Sequence, residues 1–139
     1  MSSPSPQPPR DAAPYGYSVY QQDCPARQML DRLADKWSFL ILTHLRTGPG
    51  RFNQLRRDIG GISQKALSQS LRKLERDGLV NREAFATVPV TVEYSLTVLG
   101  QSLAVLVDPL AAWAEASIDT VLQAQRSYDL RRAPRPDSL

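Results

Sequence analysis

Ile62-Ser63-Gln64-Lys65-Ala66-Leu67-Ser68-Gln69-Ser70-Leu71-Arg72-Lys73-Leu74-Glu75-Arg76-Asp77-Gly78 reads as one complete helix with both ends marked. Ser63 is a natural N-cap, because its hydroxyl can accept a backbone N–H of the first turn. Gly78 can take up the left-handed conformation that ends a helix. At about 100° per residue, Leu67, Leu71 and Leu74 fall in one narrow stripe, the face that a core would cover. Lys65, Ser68, Gln69, Arg72 and Arg76 fall on the opposite side, which holds cations, amides and a hydroxyl but no acid. Glu75 and Asp77 lie toward its edges, near the C-terminal end. Such a mixture suits a major groove: amides pair with adenine edges, guanidinium and ammonium groups with guanine or phosphate, and small hydroxyls allow close approach. For an isolated amphipathic helix the same face would more often be a solvated surface, so its neighbours decide.

Immediately upstream, Phe52, Leu55 and Ile59 recur at i, i+3 and i+7, which predicts a short helix over Phe52 to Ile59. Gly60-Gly61 supplies the turn, and two helices so joined form a helix-turn-helix over about 52–77. Downstream the period changes. Leu79 to Phe85 and Val90 to Leu96 read as two strands around a loop at Thr87-Val88-Pro89, a wing over about 79–96. The expected fold class is mainly α with a small β-hairpin, a winged helix-turn-helix with N- and C-terminal dimerisation helices.

Further out, Asp23-Cys24-Pro25 starts a helix whose apolar side holds Met29, Leu30 and Leu33. Trp37 to Leu45 is a second helix, stopped by Thr47-Gly48-Pro49-Gly50. Thr97 caps a helix from Val98 to about Val107, which Asp108-Pro109 should break or sharply kink. A last helix runs from Pro109 to about Arg126, so the dimerisation helices span about 98–126. Residues 1–14, rich in Pro and Ser, are expected to be a disordered or extended tail. The domain is placed at 15–126 and a flexible tail at 127–139. The aromatics Tyr15, Tyr17 and Tyr20 are expected to dock on something folded.

A chain of 139 residues is long enough for one domain with a real core. The formal charge is +3, but between Arg51 and Arg82 eight cations meet three acids, so that segment is +5 and the rest of the chain −2. A basic patch so confined suggests a polyanionic partner. One cysteine excludes an internal disulfide, and no signal peptide or membrane-length apolar run is seen. The expected setting is a reducing cytoplasm, with no membrane contact.

These residues resemble the HxlR-type family of bacterial winged-helix transcription regulators. The resemblance rests on Cys24-Pro25, Asp35-Lys36-Trp37, Gly48-Pro49 followed by Arg51-Phe52-Asn53-Gln54-Leu55, and Ile59-Gly60-Gly61-Ile62-Ser63. It continues through Leu71-Arg72-Lys73-Leu74-Glu75-Arg76-Asp77-Gly78-Leu79-Val80 and Val92-Glu93-Tyr94-Ser95-Leu96-Thr97-Val98-Leu99-Gly100, and covers about residues 20–123. It implies a homodimer that binds operator DNA, commonly in response to electrophiles, oxidants or small metabolites. Family wings often carry Lys or Arg where this chain has Thr91. The wing tip Ala86-Thr87-Val88-Pro89-Val90 is uncharged, which leaves Arg82 at the wing base as the better phosphate contact.

Lys65, Gln69 and Arg72, with Gln64 and Ser68 beside them, are expected to contact base edges of double-stranded DNA. Arg51, Arg56, Arg76 and Arg82 are expected to hold phosphates, which position a protein without reading sequence. Leu103, Leu106, Leu110, Trp113 and Ile118 form an apolar stripe too large for a solvated terminal helix and are expected at a homodimer interface. Cys24 is a candidate redox sensor, since a helix N-terminus favours a thiolate. Asp23 opposes that effect, and a small buried hydrophobe is the competing role. The resemblance points toward sensing, because some family members detect oxidants or quinones through a cysteine at this location. A small-molecule effector is the other route to a response. His44 has no partner at metal-ligand spacing, and no cofactor, metal cluster or nucleophile–base pair is recognisable, so no enzyme is expected. The alternative to an operator-binding regulator is a winged-helix protein-interaction module whose +5 segment meets an acidic protein surface.

Overall fold

Apolar side chains at helical spacing fold the described residues, 15–132, into five helices and three short strands in the computed structural model. In chain order these are α1 (Pro25–Leu33), α2 (Lys36–Leu45), β1 (Gly50–Arg51), α3 (Phe52–Asp58), α4 (Gln64–Arg76), β2 (Val80–Phe85), β3 (Thr91–Leu96) and α5 (Val98–Arg132). The helix-turn-helix α3–α4 is followed by the hairpin β2–β3, and the fold is a winged helix. The expected tail over 1–14 lies outside the described residues, as do residues 133–139.

The most hydrophobic helix lies at the centre. Ile41, Leu42 and Leu45 of α2 are buried against Leu55 of α3, Leu67, Leu71 and Leu74 of α4, Val80 of β2 and Val107 of α5. Each such side chain contributes about 1.5–3 kcal/mol by leaving water. The leucine stripe of α4 is thereby committed to the core, and its other face has to point outward. Both ends of α4 are held as their residues dictate. Ser63 Oγ accepts the Ala66 N–H at 3.0 Å, and Gly78 sits at φ 78° beyond the last turn. Asp77, its C-cap, pairs with Arg32 of α1 at 3.2 Å, tying that end to the first helix.

The sheet has three antiparallel strands in the order β1-β3-β2. Gly50 and Arg82 both lie opposite Tyr94, and Val80 lies opposite Leu96. Two residues are too few to show a period of two, so β1 leaves no trace in the hydropathy pattern. Its pairing nevertheless ties the chain entering α3 to the inner strand of the wing.

Thr97 joins the wing to α5. Its Oγ1 donates to the Gly78 carbonyl at 2.6 Å and accepts the Gly100 N–H at 2.9 Å. Gly100 then passes so close to the backbone of Leu79 that a Cβ there would collide with its carbonyl oxygen.

Two expectations are corrected along α5. Of the break or sharp kink expected at Asp108-Pro109, the break does not occur: one helix runs from Val98 to Arg132 with Pro109 inside it. Proline removes one hydrogen bond and crowds the preceding turn. That turn is held from outside by buried Val107 and by an ion pair between Asp108 and Arg46 at the end of α2. The flexible tail expected from 127 is helical to Arg132. No breaker occurs before Pro134, and Arg131 and Arg132 suit the negative end of a helix dipole. Leu103, expected at a dimer interface, is half-buried where it packs against the chain's own core. The aromatics Tyr15, Tyr17 and Tyr20 each leave more than half of their surface exposed on this chain.

Candidate nucleic-acid interface

With its leucines turned inward, α4 presents Gln64, Lys65, Gln69, Arg72 and Arg76 to solvent. Ser68 is half-buried at the edge of that face. It shares a groove of about 390 Å³ with Leu71, Arg72, Glu75, Arg82 and Tyr94. Arg72 of the helix and Arg82 of the wing base therefore line one groove, although ten positions separate them. Glu75 and Tyr94 in the same groove escaped sequence reasoning. Glu75 lies at the margin of the polar helix face, and Tyr94 sits in a strand whose partner across the groove cannot be read from local periodicity.

The remaining phosphate candidates separate. Arg51, the N-cap of α3, lines a second cleft of about 540 Å³ with Phe52, Asn53, Gln54, Arg57, Val90, Thr91 and Val92. Arg56 and Arg76 are exposed but line neither space. The wing tip is fully out in solvent at Val88, and its loop is held internally by Thr87 Oγ1, which donates to the Pro89 carbonyl at 2.7 Å.

Beyond the basic face, His44 has a structural partner: its Nε2 lies 2.8 Å from Asp58 Oδ2 at the end of α3. That contact braces the first helix of the helix-turn-helix against α2. Among the described residues no group of three or more His, Cys, Asp or Glu side chains could hold a metal, and no helix is long and apolar enough to cross a membrane.

Cys24 is the N-cap of α1, with Pro25 behind it, but its side chain makes no capping hydrogen bond and the residue is only 5% exposed. On α5, by contrast, several large apolar side chains are bare. Leu106, Leu110, Trp113 and Ile118 range from 47% to 66% exposed, a run of large hydrophobics that this chain alone leaves in water.

Over residues 32–121 the chain matches the HxlR-like helix-turn-helix family. The protein belongs to that family. This HxlR-like chain is 47% identical over 105 residues to the HTH-type transcriptional regulator YtfH of Escherichia coli (strain K12), covering 76% of this chain and 83% of that protein. The solved structure of the transcriptional regulator ytfH from Salmonella typhimurium has 45% identity and a TM-score of 0.74, covering 80% of this chain and 98% of that one. The redox regulator HypR in its reduced form has 38% identity and a TM-score of 0.65, covering 71% and 98%. Two of these relatives carry the name of a transcriptional regulator and the third that of a redox regulator.

Proposed function

We propose that this protein is a sequence-specific DNA-binding transcription regulator that acts in the cytoplasm as a homodimer on an inverted-repeat operator. The observation that carries the reading is the outward face of α4. Lys65, Gln69, Arg72 and Arg76 stand exposed there with no acid among them, in a helix-turn-helix whose segment carries a charge of +5. In such a motif the second helix lies in the major groove and the first crosses the backbone. Lys65, Gln69 and Arg72, flanked by Gln64 and Ser68, are assigned to base edges; Arg51, Arg56, Arg76 and Arg82 are assigned to phosphates. Two copies would meet through the exposed residues Leu106, Leu110, Trp113 and Ile118 of α5.

The decisive experiment is titration with genomic operator fragments against bulk duplex at physiological salt. The proposal expects a specific complex at least about a thousandfold tighter than the non-specific one. Equal affinity for every duplex would refute it and favour the protein-interaction module.

Control of binding is assigned to Cys24, supported by its place at the head of α1 and by the likeness to HypR, which is described as a redox regulator. With one cysteine per chain, an oxidant joins two Cys24 thiols in an intersubunit disulfide or one thiol to a small thiol, whereas a quinone adds to the sulfur. Because the thiol is buried, any of these products forces the start of α1 to move.

A further inference from the structure

The uncharged wing raises a physical question, since a wing beside DNA ordinarily needs cations. The tip residues Ala86-Thr87-Val88-Pro89-Val90 provide none. The wall facing the wing does. The cleft of about 540 Å³ is bounded on one side by Val90, Thr91 and Val92 and on the other by Arg51, Asn53, Gln54 and Arg57. Two guanidinium groups, two side-chain amides and a hydroxyl thus line one concavity whose lining includes no acid. The acid on α3, Asp58, is engaged by His44, and Glu93, which lies opposite Arg51 in the β1–β3 pairing, does not belong to the lining.

We propose that this cleft seats a phosphodiester of the DNA backbone, with Arg57 and Arg51 as its charged partners and the Asn53 and Gln54 amides as neutral donors. The inference rests on the DNA-binding reading above and deepens it. The first helix of a helix-turn-helix crosses the sugar-phosphate backbone when the second lies in the major groove. Here α3 is that first helix, and the cleft lies between it and the wing. The strand leaving the major groove is therefore received by the cations Arg51, at the head of α3, and Arg57 within it, while the wing contributes an uncharged wall. Guanidinium groups suit the task because their planar donors can grip a phosphate bidentately. Arg57 rather than Arg56 carries the contact, because only Arg57 lines the cleft.

The test measures binding of the full chain to an operator fragment and to random duplex, in salt from about 50 to 200 mM, where phosphate contacts dominate the dependence. Arg57→Ala is expected to flatten the log–log salt slope by about 0.9 on both duplexes and to leave base preference unchanged. Asn53→Asp places an acid in the cleft at a helical first turn that tolerates negative charge. It should keep the wild-type melting temperature and weaken binding to both duplexes. If both variants match wild type while Arg72→Ala still weakens operator binding, the cleft assignment is overturned and the regulator reading stands. A wild type that binds neither duplex overturns both. Pyrophosphate is titrated onto the DNA-free protein in parallel. Saturable binding that Arg57→Ala abolishes, with the DNA slope unchanged, would overturn the backbone assignment in favour of a free phosphorylated molecule.

Discussion

Single residues on α4 have separable duties under the proposed function, and the duties differ in what DNA sequence does to them. Arg72→Ala or Gln69→Ala should cost roughly 1–3 kcal/mol of specific affinity and relax base preference, since bidentate pairing with a base edge is lost. Arg56→Ala should weaken operator and random DNA alike and flatten the salt slope by about 0.9. Quantitative binding on both duplexes separates the two patterns, and equal losses on both for the α4 variants would remove the base-reading role. Gly100 makes a prediction about stability. Within a helix, alanine is favoured over glycine by about 1 kcal/mol, yet here the added Cβ would strike the Leu79 carbonyl. Backbone cannot swing aside as a flexible side chain can, so Gly100→Ala should destabilise by roughly 1–3 kcal/mol, read as a lower urea midpoint. Cys24→Ser should bind operator like wild type before treatment and, unlike wild type, keep its affinity after diamide or a quinone. Identical responses of the two proteins would return Cys24 to a purely structural role.

At the scale of elements, α4 and α5 are stabilised by different means. α4 is capped by Ser63, terminated by Gly78 and clamped by its buried leucines, which together fix the direction of its outward face. α5 runs about 50 Å at 1.5 Å per residue, and much of its length carries exposed apolar side chains. Pro109 weakens this helix locally and is itself exposed. Pro109→Ala restores a donor to the helix ladder and removes the crowding of the turn before it. It should raise stability by about 1–3 kcal/mol, measured by chemical denaturation with helicity followed by circular dichroism. A loss of stability would mean that the proline shapes a bend on which packing depends.

For the whole molecule, the distribution of apolar surface argues for a second copy. Leu110 and Trp113 are 58% and 62% exposed, in a helix that this chain's core engages through Ala104 and Val107. Leu110→Glu is expected to shift the protein toward monomer in sedimentation at micromolar concentration and to lower operator affinity, because each half-site then binds alone. The wild-type footprint should show an inverted repeat with half-sites about 10 bp apart or a multiple of that. A wild type that sediments as a monomer, or protects a single unrepeated half-site, would refute the dimer.

By itself the sequence determined the helix-turn-helix and its polar face. Ser63, Gly78, the leucine spacing and the Gly60-Gly61 turn act within a few residues of one another, and local chemistry settles local conformation. The wing was legible for the same reason, as two β-rich runs around a proline-containing loop. Tertiary structure alone decided which distant side chains share a space. Arg72 lies in one groove with Arg82, and Arg51 in one cleft with Arg57 rather than Arg56, because these groupings depend on how α3, α4 and the wing pack. The same holds for β1, which exists only through its pairing with β3, and for the His44–Asp58 contact across two helices. The continuity of α5 through Pro109 belongs here too. Propensity alone counts the cost of a proline, whereas the turn is held by the burial of Val107 in the core and by the pairing of Asp108 with Arg46, which lies 62 positions upstream.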